Sequence, residues 1–96
     1  MSILVEICEK AALIRAAGEL DLSVAGELKT ALLTALASSR DSVMDLQRVS
    51  GIDLSCTQLL LAASREFRVV GHTLTMDDPA GTFAAVLLEY GFKEAQ

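Results

Sequence analysis

The residues best suited to chemistry in this sequence lie between positions 43 and 58. A short apolar run leads through a polar turn into an apolar, helix-like segment that opens on Ser55. A hydroxyl at a helix N-terminus lies beside unpaired backbone N–H groups and the positive end of the helix dipole. Such a position favours a phosphate, and adding or removing one there changes a binding surface. The pattern therefore indicates a switchable binding module rather than an enzyme.

Helix capping is the competing explanation for the same residues. Ser55 and Gln58 fit the S-x-x-Q capping box, in which the serine caps the helix and the glutamine reaches back. Asp53 is either the N-cap itself, which the spacing favours, or a carboxylate that orients the Ser55 hydroxyl or a partner. Thr57 is a weaker candidate for phosphorylation because it falls inside the first turn. Capping and phosphorylation are compatible, since both need the hydroxyl at the helix start.

The other polar residues give no positive case for catalysis. Asp21 follows the second predicted strand and is either a solvated turn residue, which we favour, or a partner contact. His72 stands alone, without a serine or cysteine to activate, and indicates a structural role. Asp77 and Asp78 precede a predicted helix and favour its dipole. No glycine-rich phosphate loop follows a strand. We therefore predict no catalytic residue and no enzymatic activity.

Composition limits the class of protein. The 96 residues predict a single domain spanning positions 1–96, and a 52% hydrophobic content is enough for its core. A net charge of −5 with eight scattered basic residues argues against nucleic-acid binding. Cys8 and Cys56 lack ligand-type spacing, which predicts buried or half-buried thiols, no metal and no cofactor. With a strand-like N-terminus and only short apolar runs, we expect a cytoplasmic protein without membrane insertion.

Hydrophobic periodicity predicts the element order β-β-α-β-α-β-α. Strands are predicted at 3–8, 11–16, 42–46 and 72–76, the first two as a hairpin, with residues 47–51 as a connection. A helix begins near Ser23, and a second covers residues 54–68 and is apolar nearly all round, so it should pack on more than one side. This order implies a small mixed sheet with right-handed crossovers and helices mainly on one face.

The last predicted helix has clear boundary signals. Asp78 is the predicted N-cap, Pro79 the first helical residue and Gly91 the C-terminal glycine. Its predicted buried face consists of Phe83, Val86, Leu87 and Tyr90.

Several blocks of this sequence resemble the STAS family, the domain of bacterial anti-sigma factor antagonists and of sulfate-transporter tails. Gly18-Glu-Leu-Asp21 is similar to the family's G-x-[LI]-D block, and residues 43–53 are similar to its v-l-D-l-s-x-v-x-x-i-D strand and loop. Asp53-Leu-Ser-Cys56 lies where the family has D-S-S-G or D-S-A-G. Gly71-His-Thr-Leu-Thr and Leu87-Leu-Glu-Tyr-Gly-Phe92 match its closing patterns, so the resemblance covers almost the whole chain.

The resemblance implies a fold, a switch and partners. The family fold is a small sheet with helices packed on one side. In regulatory members, an anti-sigma factor of the GHKL serine kinase type phosphorylates the second hydroxyl residue of D-[ST]-[ST]-G, and a phosphatase removes the phosphate. Ser55 matches this phosphoacceptor, Asp53 the preceding acid, and Asp21 an acidic position near the partner surface. The implied partner-binding residues are Asp21, Asp53, Ser55, Cys56 and Thr57.

Two departures from the family motif leave a second function open. Leu54 replaces the first hydroxyl, and Cys56 replaces the glycine, where its side chain is expected to crowd the helix start. The variant I-D-L-[SA]-x-x-Q-L-L resembles STAS proteins encoded with chemotaxis or two-component genes, and small cytoplasmic subunits of lipid-transport ABC systems. The alternative to a phosphorylation switch is therefore a constitutive subunit of such an assembly.

Overall fold

A computed structural model describes residues 2–91, in which four strands form one mixed sheet with the order β1-β2-β3-β4. The strands are β1 (Ser2–Ile7), β2 (Ala11–Leu20), β3 (Asp41–Ile52) and β4 (Leu74–Asp77). The first pair is an antiparallel hairpin, and the other two pairs are parallel. Helices α1 (Ala25–Ala37), α2 (Leu54–Val69) and α3 (Thr82–Glu89) follow β2, β3 and β4. The predicted mixed sheet with an N-terminal hairpin is confirmed.

The sheet buries one face and leaves the other open. In β2, Ala12, Ile14 and Ala16 are buried, whereas Arg15 between them is exposed. Ile14 is paired with Met44 of β3, which is also fully buried, so the buried side chains form rows across the strands. Side chains alternate between the two faces of a strand, and the helices therefore cover the face that carries these rows.

The helices pack as their periodicity predicts. In α1 the buried positions recur at helical spacing, namely Leu28, Ala31, Leu32 and Ala35. α2 contacts both α1 and α3, and it buries large side chains that include Leu60, Leu61 and Phe67. The prediction that α2 packs on more than one side is confirmed.

Strand β3 is longer than predicted. It runs from Asp41 to Ile52, so the predicted connection at residues 47–51 is wrong. Those residues stay paired with the second half of β2, and two irregularities in the register accommodate them. A bulge of this kind bends the strand without ending the pairing.

Helix α3 begins later than predicted. Residues 78–81 form a turn closed by the Gly81 N–H and the Asp78 carbonyl, 3.0 Å apart, and Gly81 takes the left-handed conformation with φ 73°. Asp78 is therefore not the N-cap, nor Pro79 the first helical residue. The Asp78 side chain nevertheless accepts hydrogen bonds from the N–H groups of Phe83 and Ala84, at 3.0 and 3.2 Å. These N–H groups have no partner within the helix, so Asp78 satisfies them although it lies outside the helix.

The end of α3 agrees with its predicted glycine. Gly91 has φ 75°, and its N–H donates to the Leu88 carbonyl at 3.2 Å. Phe83 and Leu87 are buried as predicted, but Tyr90 is 43% exposed because it caps the helix instead of facing the core. Phe92 of the closing family pattern lies outside the described residues.

Candidate functional site

The candidate site lies where β2 and β3 end side by side. Leu20 and Ile52 are paired in the parallel register, so the next residues, Asp21 and Asp53, leave the sheet together at the carboxyl ends of the two strands. The Asp53 N–H donates to the Leu20 carbonyl at 2.9 Å, which fixes the two strand ends relative to each other. In open sheets with parallel strands, ligands usually bind just outside the carboxyl ends of the strands.

Asp53 is the N-cap of α2. Its backbone is extended, with φ −85° and ψ 177°, and its Oδ1 accepts the Cys56 N–H at 2.9 Å and the Ser55 hydroxyl at 2.7 Å. One oxygen thus performs both of the roles considered for this residue, capping the helix and orienting the serine. A capping box with Ser55 as the cap is wrong, because Ser55 is the second residue of the helix.

The Asp53 carboxylate is held in its charged form. Burial tends to raise the pKa of this group, but hydrogen bonds from the Cys56 N–H and the Ser55 hydroxyl outweigh it and leave the pKa below its ordinary value. The carboxylate is therefore a hydrogen-bond acceptor at neutral pH. Because Ser55 gives its proton to this bond, the lone pairs of its half-buried oxygen remain available to an electrophile such as a phosphoryl group.

The end of β2 repeats the arrangement. Asp21 caps the 3₁₀ turn Leu22–Val24, and its Oδ1 accepts the Ser23 N–H at 3.0 Å and the Ser23 hydroxyl at 2.5 Å. The tripeptide Asp-Leu-Ser thus occurs twice, at residues 21–23 and 53–55, and we call these the D-L-S segments. The repeat is visible in the sequence but was missed, since its meaning depends on the two strands being neighbours.

The leucines of the D-L-S segments are exposed. Leu22 is 74% exposed and Leu54 is 39% exposed, and each follows its capping aspartate directly. A contiguous apolar patch with a polar rim indicates a protein contact surface, and these two leucines follow neighbouring strand ends. Sequence reasoning had not assigned either leucine to the partner surface.

Two predicted partner-binding residues are buried instead. Cys56 and Thr57 have no exposed surface. The Cys56 thiol points inward and lies 3.4 Å from the Asp21 carbonyl, so it does not crowd the helix start. The Thr57 hydroxyl donates to the Asp53 carbonyl at 2.8 Å. The expectation that these side chains touch a partner, or that Thr57 is phosphorylated, is therefore corrected: both belong to the core beneath the site.

The two cysteines differ in environment. Burial, reinforced by the nearby charge of Asp53, raises the pKa of the Cys56 thiol to about 11, so this thiol is protonated at neutral pH and is a poor nucleophile. Cys8, in contrast, is exposed, which corrects the prediction that it is buried or half-buried. Within residues 2–91, no group of three or more His, Cys, Asp or Glu side chains is placed to hold a metal ion.

The single histidine lies away from the site. His72 Nδ1 is 3.1 Å from Asp41 Oδ1, and the same oxygen accepts the Thr73 N–H at 3.0 Å. These bonds lower the pKa of Asp41, the Thr73 bond most. Asp41 begins β3 whereas Ser55 follows its end, so His72 is not near the Ser55 hydroxyl. No helix within the described residues has the length and apolar character needed to cross a membrane.

Comparison with known proteins identifies the fold. Residues 3–94 match the family model described as "Mlab, STAS domain", and no curated protein matches the sequence significantly. An anti-sigma factor antagonist from Mycobacterium paratuberculosis is similar in structure, with a TM-score of 0.74, 22% identity and coverage of 94% of this chain and 77% of that one. Bacillus SpoIIAA in its phosphorylated form is also similar in structure, with a TM-score of 0.71, 24% identity and coverage of 94% of this chain and 84% of that one.

A longer protein also contains a similar unit. The structure of Mglu matches with a TM-score of 0.69 and 23% identity over 79% of this chain, but this chain spans only 19% of the length of Mglu. At such identities the likeness to solved structures concerns the fold alone.

Proposed function

Because the chain belongs to the STAS domain family, we propose that it is a regulatory protein-binding module of the anti-sigma factor antagonist type, switched by phosphorylation of Ser55. One observation carries the proposal. The Ser55 hydroxyl lies half-buried at the start of α2, bonded to Asp53 and flanked by the exposed Leu54. In this proposal, a partner covers the two D-L-S segments when Ser55 is unmodified.

Phosphorylation at this position changes both charge and hydrogen bonding. The partner kinase supplies ATP, the Ser55 oxygen takes its γ-phosphoryl group, ADP leaves, and the hydroxyl proton is released to solvent. The Oγ–H···Oδ1 bond is then lost, and roughly two negative charges stand beside the Asp53 carboxylate. Mutual repulsion disturbs the cap, and the added charge repels an acidic partner surface from a chain that already carries a net charge of −5.

The partners follow by family resemblance. We propose an anti-sigma factor that is also a GHKL-type serine kinase, together with a phosphatase that restores the unmodified serine. SpoIIAA, which shares this fold, has been solved in unphosphorylated and phosphorylated forms. We further propose that the chain binds without catalysing a reaction, because the hydrogen-bond partner of Ser55 is a carboxylate of lowered pKa and hence a weak base.

Leu54 favours a second candidate function. An exposed leucine in place of the first motif hydroxyl enlarges the apolar part of the surface, which suits a permanent partner better than a transient one. In this case the chain is a constitutive subunit, bound to a chemotaxis or two-component assembly or to the ATPase of a lipid-transport ABC system. Ser55 then has only a structural role, as a hydrogen-bond donor to the N-cap Asp53.

Affinity capture from native lysate tests the proposal. Wild type, Ser55→Ala and Ser55→Asp serve as bait, and mass spectrometry identifies the retained proteins. Ala62→Asp is the matched control, because it adds the same charge at an exposed position two turns along α2. The switch predicts a kinase-like ATPase that wild type, Ser55→Ala and Ala62→Asp retain and Ser55→Asp loses.

Calorimetry with the purified partner separates the two candidates. Affinity that falls at least about tenfold for Ser55→Asp alone supports the switch. Equal affinity for all four baits contradicts the switch and supports the constitutive subunit, in particular when the partner co-purifies at fixed stoichiometry regardless of ATP or phosphatase.

A further inference from the structure

Strand β1 forms an open edge of the sheet. Within the described residues it pairs only with β2, in an unbroken register of six pairs, so its outer edge presents free backbone N–H and C=O groups. Natural edge strands are usually protected by charged side chains, proline or a bulge. Ser2–Ile7 contains no proline and no bulge, its one charged side chain, Glu6, is paired with Arg15, and four of its six residues are aliphatic. Leu4 is 60% exposed on the face that the helices leave open.

A groove runs along this edge on the opposite, helix-covered face. It has a volume of about 530 Å³ and lies between β1 and α1, lined mainly by Ile3, Val5, Gly26, Thr30, Ala31 and Thr34. The Thr30 and Thr34 hydroxyls donate to carbonyls one turn earlier, at 3.1 and 2.9 Å. Their polar groups are therefore satisfied within the helix, and their methyl groups remain for apolar contact.

We propose that two copies of this chain associate through β1, in antiparallel pairing, to form one continuous eight-stranded sheet. A two-fold axis perpendicular to the sheet fits the pattern of side chains. With Leu4 opposite Leu4 of the second copy, the two exposed leucines pack together on the open face, while Ile3 lies opposite Val5 on the helix face. A two-fold interface uses the same patch twice, and every contact in this arrangement is self-complementary.

The position of α1 supports a second copy as the occupant. α1 contacts both β1 and β2, so its axis lies roughly one strand spacing from the proposed seam. With strands about 4.8 Å apart, the two α1 helices would be about 10 Å apart, close to the distance at which helices pack. Gly26, Thr30 and Thr34 recur every four residues along the groove, and such small side chains permit that close approach.

The charges near the seam do not oppose pairing. Glu6 forms an ion pair with Arg15 at 3.0 Å, so its charge is balanced within each copy. Glu27 also lines the groove, but the two α1 helices would run antiparallel about Thr30, which places each Glu27 towards the Thr34 end of its neighbour. The remaining repulsion comes from the net charge of −5 on each copy, and salt should therefore strengthen the dimer.

Sedimentation equilibrium tests the proposal directly. At about 100 µM in moderate salt, we expect wild type to be a dimer, since this concentration saturates micromolar association. Leu4→Lys and Thr30→Arg change exposed residues and should each raise the dimer Kd at least about tenfold. Leu88→Lys changes a leucine that is 81% exposed on α3 and should leave the Kd unchanged. Circular dichroism checks that each variant is folded.

Cross-linking fixes the register. In a Cys8→Ser background, Leu4→Cys should form an intermolecular disulfide on mild oxidation, because directly opposite residues of antiparallel strands lie within disulfide range. Leu88→Cys in the same background is the control: it should still dimerise but should form little intermolecular disulfide, because Leu88 lies away from the β1 edge. A monomeric wild type at this concentration overturns the proposal, as does a dimer that neither Leu4→Lys nor Thr30→Arg weakens. These variants leave the D-L-S segments intact, so the outcome is independent of the switch at Ser55.

Discussion

The Cys56 thiol lies 3.4 Å from the Asp21 carbonyl and ties the start of α2 to the turn that follows β2. With the bond from the Asp53 N–H to the Leu20 carbonyl, it holds the two D-L-S segments side by side. A pKa raised to about 11 keeps the thiol protonated, and therefore a donor, across the physiological range. The buried Cys56 side chain thus stabilises the relative positions of the two D-L-S segments from the core beneath them.

The first prediction concerns the stability of Cys56 variants. Cys56→Ala removes the sulfur from a fully buried site and should lower the free energy of unfolding by about 1–2 kcal/mol. Cys56→Gly introduces the residue of the family motif and should cost about 1 kcal/mol more, because glycine weakens the first helical turn. Urea denaturation followed by circular dichroism measures both, and equal stability of the three proteins would contradict the role assigned to the thiol.

The second prediction concerns thiol reactivity. An aromatic disulfide reagent should label one thiol per native chain, Cys8, which is exposed. Cys56 should react only after unfolding, since it is fully buried and its raised pKa leaves little thiolate. The Cys8→Ser variant should therefore show no labelling in buffer and one thiol in denaturant. Rapid labelling of two thiols in the native wild type would mean that the start of α2 opens readily.

The third prediction concerns the cap of α2. Asp53→Ala removes the acceptor of both the Cys56 N–H and the Ser55 hydroxyl, and it should lower the free energy of unfolding by about 1–2 kcal/mol at pH 7. Asp53→Asn keeps an acceptor of similar shape and should cost less. Urea denaturation of the three proteins gives the comparison, and a stability order with Asn below Ala would contradict the capping role.

The same variants predict a pH dependence. The pKa of Asp53 in the folded chain lies below its ordinary value of 3.8. Its charge therefore contributes stability that is fully present above that pH and is lost as the pH falls through the lowered pKa. The stability difference between wild type and Asp53→Asn should be constant near neutrality and shrink in acid. The other carboxyl groups are common to both proteins and cancel in the comparison. If the stability difference persists unchanged in acid, it comes from packing around residue 53 and not from the charge of Asp53.

Much of the fold could be predicted from local patterns. The hairpin and the buried face of α1 follow from alternating and helical periodicity, which the final packing preserves. The length of β3 could not be predicted in this way, because residues 47–51 are mostly polar and stay in the sheet only by pairing with β2. The start of α3 was missed for a similar reason, since the Asp78 side chain reaches the N–H groups of the first helical turn across an intervening turn.

The site was predictable in position but not in detail. The spacing of Asp53 and Ser55 indicated a polar helix start, and the structure places both there. The burial of Cys56 and Thr57 depends on the neighbouring end of β2, which the sequence does not place beside them. Leu22 was overlooked because the repeated Asp-Leu-Ser tripeptide indicates a shared surface only when the two strands are known to be parallel neighbours.

The last prediction concerns the exposed leucines of the D-L-S segments. Burying such a side chain fully against a partner contributes about 1.5–3 kcal/mol, so Leu22→Ser should raise the Kd for the captured partner at least about tenfold. Leu54→Ser should have a smaller effect because Leu54 is only 39% exposed before binding. Neither change should alter the thermal midpoint appreciably, since these exposed faces contribute little to the core.

Leu88→Ser provides the matched control for both leucine variants. Leu88 is 81% exposed and lies near the end of α3, which follows β4, and β4 pairs only with the first half of β3, away from the end of that strand that precedes Asp53. Calorimetry should show wild-type affinity for this variant. If Leu22→Ser and Leu88→Ser bind equally well, the partner does not cover the D-L-S surface. If Leu22→Ser weakens binding but Ser55→Asp does not, the surface is correct and the interaction is constitutive, because apolar contact then decides affinity and charge at Ser55 does not.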